Sequence, residues 1–422
     1  MKFTKHKLKN GFRYILAPMR NTQAVSVMVL VGTGLMYEKK EENGLAHFLE
    51  HMCFKGTTTR PSSMHIVEEL DMLGARHNAF TGAYSTGYWA KGHKKNAVEL
   101  VDIISDLYLN PIFPESEMEK EKGVVIQEIN MYEDNPSAKV GQVIDELMYG
   151  DQAAGREIIG TKKTVNSFTR EDLIRYRNTH YTVENTLVVI AGAFNRATVE
   201  KHIKKQFSQI KKTKRPTLQP TVIKQKDASV KIHYKQTDQT HFVLSFHAPT
   251  MFDKRESAVS ALSTILGESS SSRLFKKMRE ELGICYYIGS SFQAGMESGT
   301  FSVYAGVAND RLEEAVHGIV TELRLIKEEL AGKEEFQRCK NMRLSGLVLG
   351  LETSNAVADR CAFQELYHGK IRSIEESTKR IEGVSVNQMR QAALDIFQTS
   401  KANLAIVGPH KNDKKLKKLL TF

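Results

Sequence analysis

The sequence predicts an α+β protein made of two tandem homologous α/β units, each a mostly antiparallel sheet flanked by helices. Three observations lead there. The 422 residues exceed one ordinary domain and suit two of roughly 200. An internal repeat relates the two halves. Within each half, strand and helix patterns mix without strict βαβ alternation, which disfavours a doubly wound parallel sheet.

The repeat runs at an offset of 216 residues. SFTREDLIRYRNTHYTVENTLVVIAG, from Ser167, aligns without a gap with GVSVNQMRQAALDIFQTSKANLAIVG, from Gly383. Thr169 and Ser385 take the same place, as N-caps before an apolar-periodic run. Tyr181 falls on Phe397, and the strand Val188 to Gly192 falls on Leu404 to Gly408. Near the start of each half, VSVMVLVGTG from Val25 matches THFVLSFHAP from Thr240.

In chain order, Lys9-Asn10-Gly11 marks a hairpin between two short strands. A strand is predicted at 24–32, helices at 43–56 and 62–74, strands at 76–81 and 84–91, and a helix at 94–108. Pro111 and Pro114 break the chain before a long helix over 115–132. Two more helices, a strand and a final helix complete the half. The link between halves is KKTKRPTLQPTVIKQK, residues 211–226, which holds two of the nine prolines. The division is therefore 1–210, a linker at 211–226, and 227–422.

A hydrophobic fraction of 41% and a charged fraction of 26% are those of an ordinary globular protein. The net charge is +11, but Lys and Arg are scattered and no nucleic-acid-binding motif is present, so no nucleic-acid partner is expected. The densest basic stretches, 204–215 and 411–418, read as a linker and a tail. The opening MKFTKHKLKNGFRYILAP has no apolar core of a signal peptide, and no apolar run is long enough for a bilayer. Cys53, Cys285, Cys339 and Cys361 form no CxxC pair, a usage that fits a reducing cytoplasm. A cytoplasmic protein without a membrane partner is expected.

The chemistry is concentrated in His47-Phe48-Leu49-Glu50-His51. A spacing of four puts both imidazoles on one helical face about one turn apart, and Glu50 lies close by on that face. Such a pair suits zinc, which accepts imidazole and carboxylate ligands and keeps a position for water. The third ligand must come from elsewhere. The long helix offers Glu121 and Glu128, seven positions apart on one side, with Val124 and Val125 between them. One carboxylate can ligate and the other can orient a histidine.

HxxEH is the inverzincin order. Together with ENGLAHFLEHMCFKGT, NAFTG from Asn78, EKGVVIQEINMYEDNP and SSRLFKKMREELGICYYI, it makes the sequence resemble the M16 metallopeptidases over nearly its whole length. That family includes insulin-degrading enzyme, pitrilysin and the mitochondrial processing peptidase. The bacterial processing-protease-like members are the most similar in length.

The resemblance implies the M16/LuxS-like metallohydrolase architecture. It makes His47, His51 and Glu128 the zinc ligands, Glu50 the base that activates water, and Glu121 a carboxylate supporting the site. Asn78, Ala79 and Phe80 would lie on an edge strand that pairs with the substrate backbone. Arg279 and Tyr286 would reach the substrate from the second half. The positions matching His47 to His51 read LSTIL, Leu262 to Leu266, so one zinc per chain is expected. The implied activity is that of a zinc metalloendopeptidase acting on unfolded peptides or small polypeptides. The alternative is an inactive M16-like partner or scaffold subunit. Because one chain carries both the zinc set and the Arg–Tyr pair, a homodimer is expected. A heterodimer with a related subunit is the other arrangement.

Overall fold

The computed structural model describes residues 2–208, 210 and 216–422, so positions 211–215 of the expected linker lie outside the described residues. The chain opens with β1 (Thr4–Lys7), β2 (Arg13–Pro18) and β3 (Ala24–Val31). Then come α1 (Leu45–Cys53), α2 (Ser63–Met72), β4 (Arg76–Thr81), β5 (Thr86–His93) and α3 (Ala97–Leu109). The long α4 (Glu115–Asp134) leads to α5 (Pro136–Tyr149), α6 (Lys162–Ser167), α7 (Arg170–His180), β6 (Thr186–Gly192) and α8 (Arg196–Phe207). Three helices thus stand between α4 and β6 where two were expected. The extra one, α6, has only six residues and is set by a capping box at Thr161 rather than by a long apolar period.

The second half repeats the order. It contains β7 (Ser229–Tyr234), β8 (Gln239–Ala248) and α9 (Glu256–Gly267). A π-helical turn, Phe275–Glu281, precedes β9 (Cys285–Ala294) and β10 (Gly299–Ala308). The half ends with α10 (Leu312–Glu328), α11 (Lys333–Leu349), α12 (Ser354–His368), α13 (Ile374–Glu382), α14 (Val386–Ile396), β11 (Ala402–Gly408) and α15 (Lys414–Leu419). No helix among the described residues is long and apolar enough to cross a membrane.

The two sheets are β1-β2-β6-β3-β5-β4 and β7-β11-β8-β10-β9, and their topologies match from β2 and β7 onward, β1 being an added edge strand of the first. Each is mixed and mostly antiparallel, with one parallel pair, β2·β6 in the first and β7·β11 in the second. The sequence repeat is repeated in the backbone. Thr169 and Ser385 both cap their helices, accepting from Asp172 N and Gln388 N. Tyr181 and Phe397 end those helices at nearly the same dihedrals, φ −88°, ψ 70° and φ −82°, ψ 75°.

The chain forms two compact units, but they are not contiguous halves. The first holds the residues up to Ile129, then Glu157–Gln219 and Val348–Ile374; the second holds Asn130–Arg156, Pro220–Leu347 and Glu375–Phe422. Helix α12 is thereby donated to the first unit and α5 to the second. The strands explain why. Along β3, Val25, Val27, Val29 and Val31 enter one core with α1 and α3, while Met28 and Leu30 enter another. That second core is closed by Val357, Ala358, Cys361, Ala362 and Leu366 of α12. In the other sheet Val243, Ala405 and Val407 pack on Val140, Val143, Ile144 and Met148 of α5. Strands apolar on both faces need a layer on both faces.

Candidate metal centre

The centre lies in the first unit, on α1 and α4. Helix α1 begins after Gly44, whose φ of 93° is left-handed. A Cβ there would come within 2.7 Å of Gly160 Cα and Ile159 O, so glycine is required on both counts. Under the helix N-terminus lies Glu38, 1% exposed. Its carboxylate accepts from Gly44 N at 2.9 Å and from Ala46 N at 2.7 Å. It thereby satisfies amides that the first turn leaves unpaired. Burial pushes the Glu38 carboxyl up to about 8 against the pull of those amides.

One turn further, His47 and His51 stand side by side, their ring centroids 4.5 Å apart. From α4, Glu128 Oε2 lies 3.8 Å from His47 Nε2 and 3.9 Å from His51 Nε2. One donor atom from each of the three residues falls within 4.8 Å of the others. Tetrahedral zinc with ligands at about 2.0–2.2 Å sets its donors roughly 3.4 Å apart, so small side-chain adjustments close this triangle on one ion.

Further features match a metal. His47 Nδ1 is buried without a hydrogen-bond partner among the described residues. Burial, followed by the neighbouring His51, lowers the His47 pKa to about 3, which holds the ring in its neutral, ligating form. His51 Nδ1 donates to Glu121 Oε1 at 2.8 Å, which frees Nε2 to face Glu128. Glu121 is 4% exposed and also pairs with Lys55 Nζ at 2.5 Å. Burial is the largest influence on His51 and opposes its charge. The Glu121 hydrogen bond and the surrounding carboxylates outweigh it, and the His51 pKa rises. Burial likewise works to raise Glu121, but the bonds from His51 and Lys55 prevail and lower it. The residues fit a zinc ion.

Glu50 sits between the histidines in sequence and is 8% exposed. Burial raises its pKa, and the hydroxyl of Thr81, donating to Oε2 at 2.5 Å, draws it back. Asn78, Ala79 and Phe80 lie on β4, which is an edge of its sheet. Asn78 Oδ1 accepts from Ala79 N at 2.9 Å. Arg279 and Tyr286 belong to the second unit, where Arg279 Nη1 donates to the Tyr286 carbonyl and the guanidinium lies 5.3 Å over the Phe275 ring. Tyr286 is 58% exposed. Leu262 and Leu266, at the positions matching the two histidines, are fully buried in the second core.

The sequence reading missed Glu38, Lys55 and Thr81. Thr81 is the fourth residue of the NAFTG run, but nothing local ties it to Glu50; Glu38 lies seven residues before α1, outside any capping pattern. Val124, expected to line the apolar face between the two glutamates, is 51% exposed, and Val125 alone is buried there.

Comparison with known proteins agrees with this organisation. Residues 14–162 match the family model described as insulinase, peptidase family M16, and residues 167–343 match the peptidase M16 inactive domain. A Bacillus subtilis protein described as an uncharacterized zinc protease is 31% identical over 409 residues, covering 97% of this chain and 98% of its own. A Rickettsia bellii protein of the same description is 32% identical over the same shares. The crystal structure of a protease from Helicobacter pylori shares the fold with a TM-score of 0.90 at 22% identity, covering 97% of this chain and 99% of that one. With both of its domain models matched in order, and a relative above 30% identity over nearly the full length, the chain belongs to peptidase family M16.

Proposed function

We propose that the chain is a zinc metalloendopeptidase that hydrolyses peptide bonds in unfolded peptides or small polypeptides. The observation that carries this reading is the convergence of His47, His51 and Glu128 donors within 4.8 Å, with buried Glu50 on the same helix. Zinc bound there would lower the pKa of its water and polarise a carbonyl. Glu50 would act as the base, accepting a proton from the attacking water and returning it to the leaving nitrogen. Its burial, by raising its pKa, moves its basicity toward working pH. The substrate backbone adds to the open side of β4 along Asn78, Ala79 and Phe80, exchanging for the bond that Asn78 now makes to Ala79 N. Arg279 and Tyr286, assigned by the family resemblance, hold the substrate.

The test uses the purified chain, a zinc assay and a quenched fluorescent peptide. Cleavage with one zinc per chain is expected. Glu50→Gln should lose roughly 10²–10⁴-fold in turnover and keep its zinc, because the side chain keeps its size and loses only its basicity. Near-normal turnover in that variant removes Glu50 as the base. A wild-type chain that binds zinc and cleaves no peptide is instead an inactive partner subunit.

A further inference from the structure

We propose that Thr81 is the positioning residue for Glu50, fixing the carboxylate of the base from the same strand that receives the substrate. The inference rests on the function proposed above.

A glutamate carboxylate turns about a terminal torsion with broad, two-fold preference, so burial alone does not choose which oxygen faces where. At Glu50, among the described residues, the choice is made by the Thr81 hydroxyl. Thr81 Oγ1 gives its proton to Oε2 at 2.5 Å and leaves Oε1 to accept from water. Threonine suits the task because its branched Cβ restricts χ1.

The backbone that carries the hydroxyl is held independently of the carboxylate. Thr81 ends β4 and is paired with Thr86 of β5. The next residue, Gly82, donates its N–H to Ser85 O at 2.8 Å, closing the turn. The Gly82 and Ala83 carbonyls accept from Leu35 N at 3.3 Å and Met36 N at 2.9 Å. Gly34 approaches so closely that a Cβ on it would stand 2.1 Å from Gly82 O. The segment 34–36 therefore clamps the turn that carries Thr81.

That placement has a functional consequence. Asn78, Ala79 and Phe80 run directly into Thr81 on one strand. A peptide that pairs with β4 is registered against the backbone that orients the base. Base and scissile bond thus share a reference, and preorganisation of this kind separates productive from near-miss geometry.

Three variants and a double variant test this. Thr81→Val keeps the branched shape and removes the donor; kcat should fall on the order of 100-fold with KM within a few-fold of wild type. Thr81→Ser restores the donor and should recover most of the kcat. Zinc affinity, measured by chelator competition without peptide, should be unchanged in both, because neither touches His47, His51 or Glu128. Glu50→Gln combined with Thr81→Val should be no slower than Glu50→Gln alone, since Thr81 acts through Glu50. Wild-type kcat in Thr81→Val beside an inactive Glu50→Gln overturns the inference and leaves the proposed function standing. Loss of zinc affinity, or a rise in KM matching the fall in kcat/KM, shows a structural role and overturns it too. Full turnover in Glu50→Gln removes Glu50 as the base and this inference with it, whereas a wild-type chain that cleaves no peptide removes the proposed function.

Discussion

His51 and Glu121 show how much of this site depends on single atoms. The proton on His51 Nδ1 is committed to Glu121 at 2.8 Å, so Nε2 is the nitrogen that meets Glu128. The two carboxylates of α4 thus meet different neighbours, and substitution should separate the tasks proposed for them. Glu128→Gln should weaken zinc binding strongly, because it replaces the proposed ligand. Glu121→Gln should weaken it by roughly 10–100-fold, because it only relaxes the ring orientation. Zinc titration against a chelator distinguishes the two, and the reverse order would exchange their assignments. Both carboxylates were visible in the sequence as a seven-residue pair, but helical period alone does not say which of two residues on one face reaches the metal. The placing of His47, Glu50 and His51 on one helix was legible because their spacing is local. Thr81 was not, since the carboxylate it serves lies 31 positions away.

At the scale of elements, the loop after α1 is fixed by a buried guanidinium. Arg60 binds Glu69 of α2 at 2.8 Å and Asp102 and Asp106 of α3 at 2.9 and 2.8 Å. Asp106, 4% exposed, also accepts from Thr57 and from Asn110. Arg60→Ala leaves that carboxylate buried beside a vacated cation and should cost about 3–5 kcal/mol, read from urea unfolding; a loss under about 1 kcal/mol would contradict it. Burial works to raise the Asp106 pKa, and its hydrogen bonds overcome that and lower it. A depressed carboxyl stabilises the fold above its ordinary value of 3.8 and ceases to do so as pH falls through the lowered one. The gap between wild type and Arg60→Ala should accordingly narrow in acid. Local pattern located the helices here, while their ends were set by distant groups. The predicted helix at 43–56 runs only over Leu45–Cys53, and it starts later than predicted because Gly44 is left-handed and Glu38 caps the first turn.

At the scale of the molecule, we propose that the active form is a dimer of like chains. One chain carries His47, Glu50, His51 and Glu128 together with Arg279 and Tyr286, so no unlike subunit is needed to complete the set. Light scattering on the active protein should give two chains, and an active monomer at assay concentration would refute the requirement. Mixing Glu50→Gln chains with Arg279→Ala chains should restore activity if sites are shared between protomers.

The repeat, the mixed α/β pattern and the HxxEH helix follow from the sequence alone, because caps, periods of 2.0 and 3.6 and short turns are local properties. Thr169 and Ser385 cap their helices as that pattern required. The crossing of α5 and α12 between units does not follow from it. An amphipathic helix declares that it will be buried and not which sheet will bury it. That was decided by β3, β6, β8 and β11, whose doubly apolar faces each needed a second layer. Which histidine nitrogen Glu121 and Glu128 each meet, and the bond from Thr81 to Glu50, were decided in the same way, by which residues tertiary packing brings within a few ångströms.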